Sequence, residues 1–229
     1  MTALTDLQHE FAEATREASV SDLRPRADAF WRRHGQEPDL VLEVLTGLWT
    51  RSSTPELGRV RMGVTIALGQ VAAQRPTAMR FLVEESARDA DWRVQEALAM
   101  AFEAVCSGLG WQTSVSVIER WMESEEANVR RAASEGPRVW IKRPYFDAHP
   151  EHALELLGRL RSDRSLYVRK SVANAVGDIG KAHPDLVVST LLSWQRASQD
   201  ATWVIKNACK KLEKASPAGA KKVLVGLKE

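Results

Sequence analysis

The chain has 229 residues, of which 44% are hydrophobic, 27% charged and 7% aromatic, enough to bury a core without disulfides or a structural metal. It opens on MTALTDLQHEFAEATREA, where no basic region leads into an apolar run, and no stretch nears the roughly 20 apolar residues that cross a bilayer, so a cytoplasmic protein with no membrane role is expected. The net charge of +2 is unevenly spread, −6 over residues 1–158 and +8 over 159–229: the basic end suits a polyanion, or is a lysine-rich solvated face.

Along the chain the first feature is Trp31-Arg32-Arg33-His34, read as closing one end of the fold or as touching a nucleic acid. Five similar segments follow, at 58–72, 91–105, 127–141, 166–180 and 202–216, aligned on Val60, Val94, Val129, Val168 and Val204. The steps of 34, 35, 39 and 36 residues are those of helix-pair repeats. A second amphipathic stretch precedes each, at 38–49, 76–87, 114–122, 151–160 and 185–195. Leu154, Leu157 and Leu160 give the helical period, and the shared Pro-Asp-Leu-Val at 38–41 and 184–187 puts a proline at a helix start. Strand signals are absent. A helix pair cannot bury its own apolar stripe, so neighbours must stack. The expectation is an all-α solenoid of helix pairs forming one domain, 1–229.

Segment 137–149 carries Pro137 and Pro144, with Pro150 just beyond, and reads as a stiff loop. It mixes Trp140, Lys142, Arg143, Tyr145 and Phe146, a blend that suits either a nucleic-acid surface or a cap over the helices beneath. His149 and His152 read as helix-entry residues. Cys106 and Cys209 have no metal-ligand spacing and read as buried free thiols. No phosphate loop, nucleophile elbow or zinc motif is present.

With each anchor valine as zero, positions 0, +3, +4 and +7 share one side of the second helix. Small residues dominate that side: Ala97, Ala101, Ala132, Gly136, Ser171 and Ala175. Positions +2 and +6 point the other way, toward the groove that second helices of a solenoid line. They hold Met62 and Ile66, Glu96 and Met100, Arg131 and Glu135, Lys170 and Asn174, Lys206 and Lys210, while +1 adds Arg61, Arg130 and Arg169. The cations form a candidate phosphate track, Arg130, Arg131, Lys170, Lys206 and Lys210. Glu96 and Glu135 stand among them. A carboxylate facing DNA is repelled unless it steadies a cation; alternatively Glu135 pairs with Arg131 and Glu96 is ordinary surface.

The segments NVRRAASEG (128–136) and DRSLYVRKSVANAVGDIGKAHPDLV (163–187) resemble the bacterial DNA-alkylation-repair family of HEAT-like repeats, nearest its AlkC branch and more distantly AlkD, over roughly 55–215. The resemblance implies a DNA glycosylase that excises N3- or N7-alkylated bases from duplex DNA as a monomer, without metal or other cofactor. It places the family's essential acid on Glu96, its partner tryptophan on Trp92, its groove arginine on Arg131 and a second acid on Glu135. Trp92 and Trp140 are the expected lesion contacts; Trp140 arrives early against the AlkC pattern, and a cap over the helices is its alternative role. Asn174 stands where AlkD-type sequences have tryptophan, and no appended immunoglobulin-like module is expected. The rival class is a HEAT-like binding module without catalysis.

Overall fold

Nearly every stretch with a helical apolar period is a helix. The computed structural model describes residues 3–194 and 198–227, and among them there are fourteen α-helices and no strand. The chain divides into two compact units, Met1–Ser114 and Val115–Glu229.

The first unit holds α1 (Ala3–Arg16), α2 (Val20–His34), α3 (Pro38–Arg51), α4 (Gly58–Ala72), α5 (Pro76–Glu84) and α6 (Trp92–Leu109). Helices α2, α4 and α6 pack in a row, while α1, α3 and α5 lie against α4. Pro38 and Pro76 start their helices, where a missing N–H costs nothing. Helices α4 and α6 approach so closely that a Cβ on Gly69 would meet the Ala101 carbonyl oxygen at 2.3 Å, an obstacle of backbone that cannot swing away. The pair α1/α2 is a further repeat ahead of the five read from sequence. It buries Phe11, Leu23, Ala27 and Phe30, with the Phe11 and Phe30 rings edge-to-face at 4.9 Å. Arg33 bonds Glu10 at 2.8 Å, so the 31–34 cluster ties α2 to α1.

The second unit holds α7 (Val115–Met122), α8 (Ala127–Glu135), α9 (Pro144–Ala148), α10 (Pro150–Arg159), α11 (Leu166–Ile179), α12 (Pro184–Ser193), α13 (Gln199–Leu212) and α14 (Pro217–Gly226). Helix α11 sits between α8 and α13, and α7, α10, α12 and α14 pack behind that row. The amphipathic stretch 185–195 runs on past α12 to Gln195, which lies outside the described residues. The small-residue side is the packing side: Ala97, Ala101, Ala132, Gly136, Ser171 and Ala175 are all buried. Cys106 and Cys209 are buried and form no disulfide, and burial pushes the Cys209 thiol up to about 11.

Segment 137–149 differs from the stiff loop expected of it. It forms a 3₁₀ turn, Trp140–Lys142, followed by α9. Trp140 is fully buried, its Nε1 donates to the Ser134 carbonyl at 3.1 Å, and its ring meets Phe146 edge-to-face at 4.7 Å. The lesion-contacting role expected for Trp140 is therefore corrected: an indole with its face packed and its one donor spent belongs to the core. Among the described residues, no helix is long and apolar enough to cross a membrane.

Candidate nucleic-acid interface and active site

Position +1 of the second helices proves to be structural. Arg130 is buried, and its Nε and Nη2 donate to the two oxygens of Asp163 at 2.6 and 2.9 Å. Its Nη1 donates to the carbonyls of Ser124 and Glu125 at 2.8 and 2.9 Å. These hydrogen bonds to Asp163 hold the guanidinium above its ordinary pKa against the cost of burial. Arg61 repeats the arrangement with Asp89 at 2.7 Å, and Arg169 with Asp200 at 3.0 Å. These arginines staple their repeats to the start of the next second helix: Asp89 and Asp163 lie just ahead of α6 and α11, and Asp200 in the first turn of α13. Arg130 is thus removed from the expected phosphate track, because its donors are already committed inside the protein.

Positions +2 and +6 open progressively. Met62 and Ile66 are buried, in contrast to their expected place in the groove, because α1 and α2 cover α4. On α6, Glu96 and Met100 are half-buried, and Trp92, one turn before Glu96, is 64% exposed. Asp91 caps this helix by accepting the Arg93 N–H at 3.0 Å, and the Arg93 guanidinium holds the Asp91 carboxyl below its usual range. The cap fixes where the turn bearing Trp92 begins.

In the second unit Glu135 ends α8, where the Gly136 N–H returns to the Ala132 carbonyl. One Glu135 oxygen accepts from Arg138 and the other from the Ser171 hydroxyl. Arg138 also donates through Nε to Asp178 at 2.9 Å, and Lys181 bonds Asp178 at 2.7 Å. Burial would raise the Asp178 pKa, but hydrogen bonds from Lys181 and Arg138 outweigh it and hold the carboxyl low. The Glu135 charge is therefore fixed in direction by a braced guanidinium. It borders a shallow recess of about 230 Å³ that Arg131, Tyr167, Lys170, Ser171 and Asn174 complete. The Arg131 guanidinium lies over the Tyr167 ring at 5.0 Å and the Lys170 ammonium at 5.9 Å. Further along, Lys206 and Lys210 are exposed on α13, and Lys206 borders a second recess of about 320 Å³ with Gln199, Thr202 and Trp203.

The second unit thus gathers Arg131, Glu135 and Lys170 at one recess, while Glu96 and Trp92 share a turn of α6 in the first. Tyr167, Trp203 and Arg138 escaped the sequence reading. Tyr167 and Trp203 sit at −1, three residues before Lys170 and Lys206 and so on the same helix face; that spacing was the available signal. Among the described residues no group of three or more metal-ligating side chains comes together.

Stacked helix pairs with a cation-lined inner column define a HEAT-like repeat protein. Residues 19–212 match the family model described as DNA alkylation repair enzyme, and the chain belongs to that family. In sequence it is similar to the uncharacterized protein YhaZ of Bacillus subtilis (strain 168), 39% identical over 110 residues, 46% of this chain. That match spans about a third (31%) of YhaZ. In structure it is similar to AlkD2 from Streptococcus mutans, with a TM-score of 0.80, 30% identity, and coverage of 91% of this chain and 98% of that one. The smu.31 protein of Streptococcus mutans UA159 gives 0.77 and 31%, covering 88% and 97%. The alkylpurine DNA glycosylase AlkC of Pseudomonas fluorescens, solved bound to DNA containing an abasic-site analogue, gives 0.54 and 24%, covering 96% and 65%, a likeness of fold alone. A place nearest the AlkC branch accordingly has weak support.

Proposed function

We propose that the protein is a DNA glycosylase that hydrolyses the N-glycosidic bond of N3- or N7-alkylated bases in duplex DNA. The observation that carries this reading is the recess where Glu135, its direction fixed by Arg138 and Ser171, stands beside Arg131 and Lys170. N-alkylation makes the base cationic and a ready leaving group, so little acid catalysis is needed. An anion near C1′ then lowers the barrier as positive charge develops on the sugar, and a positioned water completes the hydrolysis. Glu96 and Glu135 are the residues assigned to these duties. Trp92 presents an exposed ring face to a cationic lesion. Arg131, Lys170, Lys206 and Lys210 hold backbone phosphates.

AlkC, alike in fold, was solved on DNA containing an abasic-site analogue, which supports DNA as the partner here. One observation favours a second reading, a DNA-binding module without chemistry: both Glu135 oxygens already have partners within the protein. Incubation with alkylated duplex and detection of released base separates the two. Free alkylbase in excess of the uncatalysed rate supports the glycosylase, and tight binding without release supports the module.

A further inference from the structure

The two aromatic residues that the sequence reading passed over occupy equivalent positions in successive repeats. Tyr167 stands one residue before the anchor Val168, and Trp203 one before Val204. Each is followed three residues later by a lysine on the same face, Lys170 and Lys206. Tyr167 is 51% exposed, and Trp203 borders an open recess with Lys206. The Arg131 guanidinium, at +2 of α8, lies over the Tyr167 ring at −1 of α11. One repeat onward, Lys170 at +2 of α11 and Trp203 at −1 of α13 hold the equivalent positions, and the Lys170 ammonium lies 5.9 Å from the Tyr167 ring centroid. Arg131, Tyr167, Lys170, Trp203 and Lys206 thus alternate cation and aromatic ring across α8, α11 and α13.

A fully paired duplex offers a protein its phosphates and base edges, and hides its base faces in the stack. Cations alone serve such a ligand. Rings that repeat with the phosphate contacts serve a strand whose bases are unstacked, because every base has a π-face and the sugar-phosphate chain between bases is anionic. Isolated exposed aromatics are ordinary, but recurrence at one repeat position with a lysine at fixed spacing is a pattern. We propose that this ladder is a binding track for an unpaired DNA strand, so that the protein favours DNA with locally unstacked bases over intact duplex. The proposal rests on DNA being the ligand of the second unit.

The test is fluorescence anisotropy of the full chain with three labelled DNAs of one sequence: intact duplex, the duplex with a short gap, and the single strand. Wild type should bind gapped DNA more tightly than intact duplex. Tyr167→Ala and Trp203→Ala should each weaken gapped and single-stranded binding by roughly 5- to 100-fold and leave duplex binding within about threefold. Tyr167→Phe and Trp203→Phe, which keep a ring, should stay near wild type, with thermal melting checking that all four variants fold. Equal loss on all three DNAs, or no loss, would overturn the ladder while leaving duplex binding intact as a reading. Failure of wild type to bind any of the three at low salt would remove DNA as the ligand and the ladder with it.

Discussion

Arg130 grips Asp163 through two parallel hydrogen bonds of 2.6 and 2.9 Å, while its neighbour Arg131 lies over the exposed ring of Tyr167. Consecutive residues turn about 100° around a helix, so one arginine staples repeats together and the next meets the groove. Removing one partner of a buried pair strands the other charge and costs roughly 3–5 kcal/mol. Arg130→Ala should therefore lower the melting temperature sharply and leave the salt dependence of DNA binding unchanged. Arg131→Ala should melt near wild type and flatten the salt dependence by about one phosphate contact. Melting curves and binding isotherms on the two variants check the pair.

The tryptophans divide in the same way. Trp140 is fully buried and hydrogen-bonded, so Trp140→Ala should cost roughly 3–5 kcal/mol in a denaturant titration. Trp92 is 64% exposed, and Trp92→Ala should stay within about 0.5 kcal/mol of wild type. Its effect should fall instead on binding and processing of alkylated DNA.

Charge reversal tests the cation track. Lys206 and Lys210 are exposed on α13, and each phosphate they neutralise contributes a slope of about −0.9 to log K against log salt. Lys206→Glu with Lys210→Glu should weaken binding to any sequence and make that slope shallower. An unchanged slope would place the DNA elsewhere.

The brace behind Glu135 has a pH signature. Asp178 titrates below its ordinary value in the folded protein, because Lys181 and Arg138 favour its charged form. The folded state therefore binds this proton less readily than the unfolded chain, whose aspartate titrates near ~3.9. The contribution is complete above that value and is lost as pH falls through the lower folded value. Measured as a stability difference, wild type should exceed Asp178→Asn at neutral pH, and the gap should close on acidification below about pH 4.

Much of this fold was legible because small residues recur at the packing positions, and Ala97, Ala101, Ala132 and Ser171 are buried as that pattern requires. The α1/α2 repeat was not legible. Its second helix carries Pro25 and the charged run RPRADAFWRRH, which blur the apolar period. Trp140 and Arg130 were misread for one reason: composition shows that an aromatic or a cation is present, and only packing shows whether its face or its donors are free. The assignment of Glu96 came from family resemblance together with its place at +2; Arg138 offered only its three-residue spacing from Glu135, and its second partner, Asp178, lies 40 residues away.

The most direct measurement of the central claim is single-turnover release of alkylated base by wild type, Glu96→Gln and Glu135→Gln, with DNA affinity measured in parallel. Glutamine keeps the size of the side chain and removes its charge. If the carboxylates stabilise a cationic transition state, each variant should release base roughly 10²–10³-fold more slowly while binding DNA as tightly as wild type or more so. Base release by both variants at the wild-type rate would contradict the account and leave a DNA-binding module in its place.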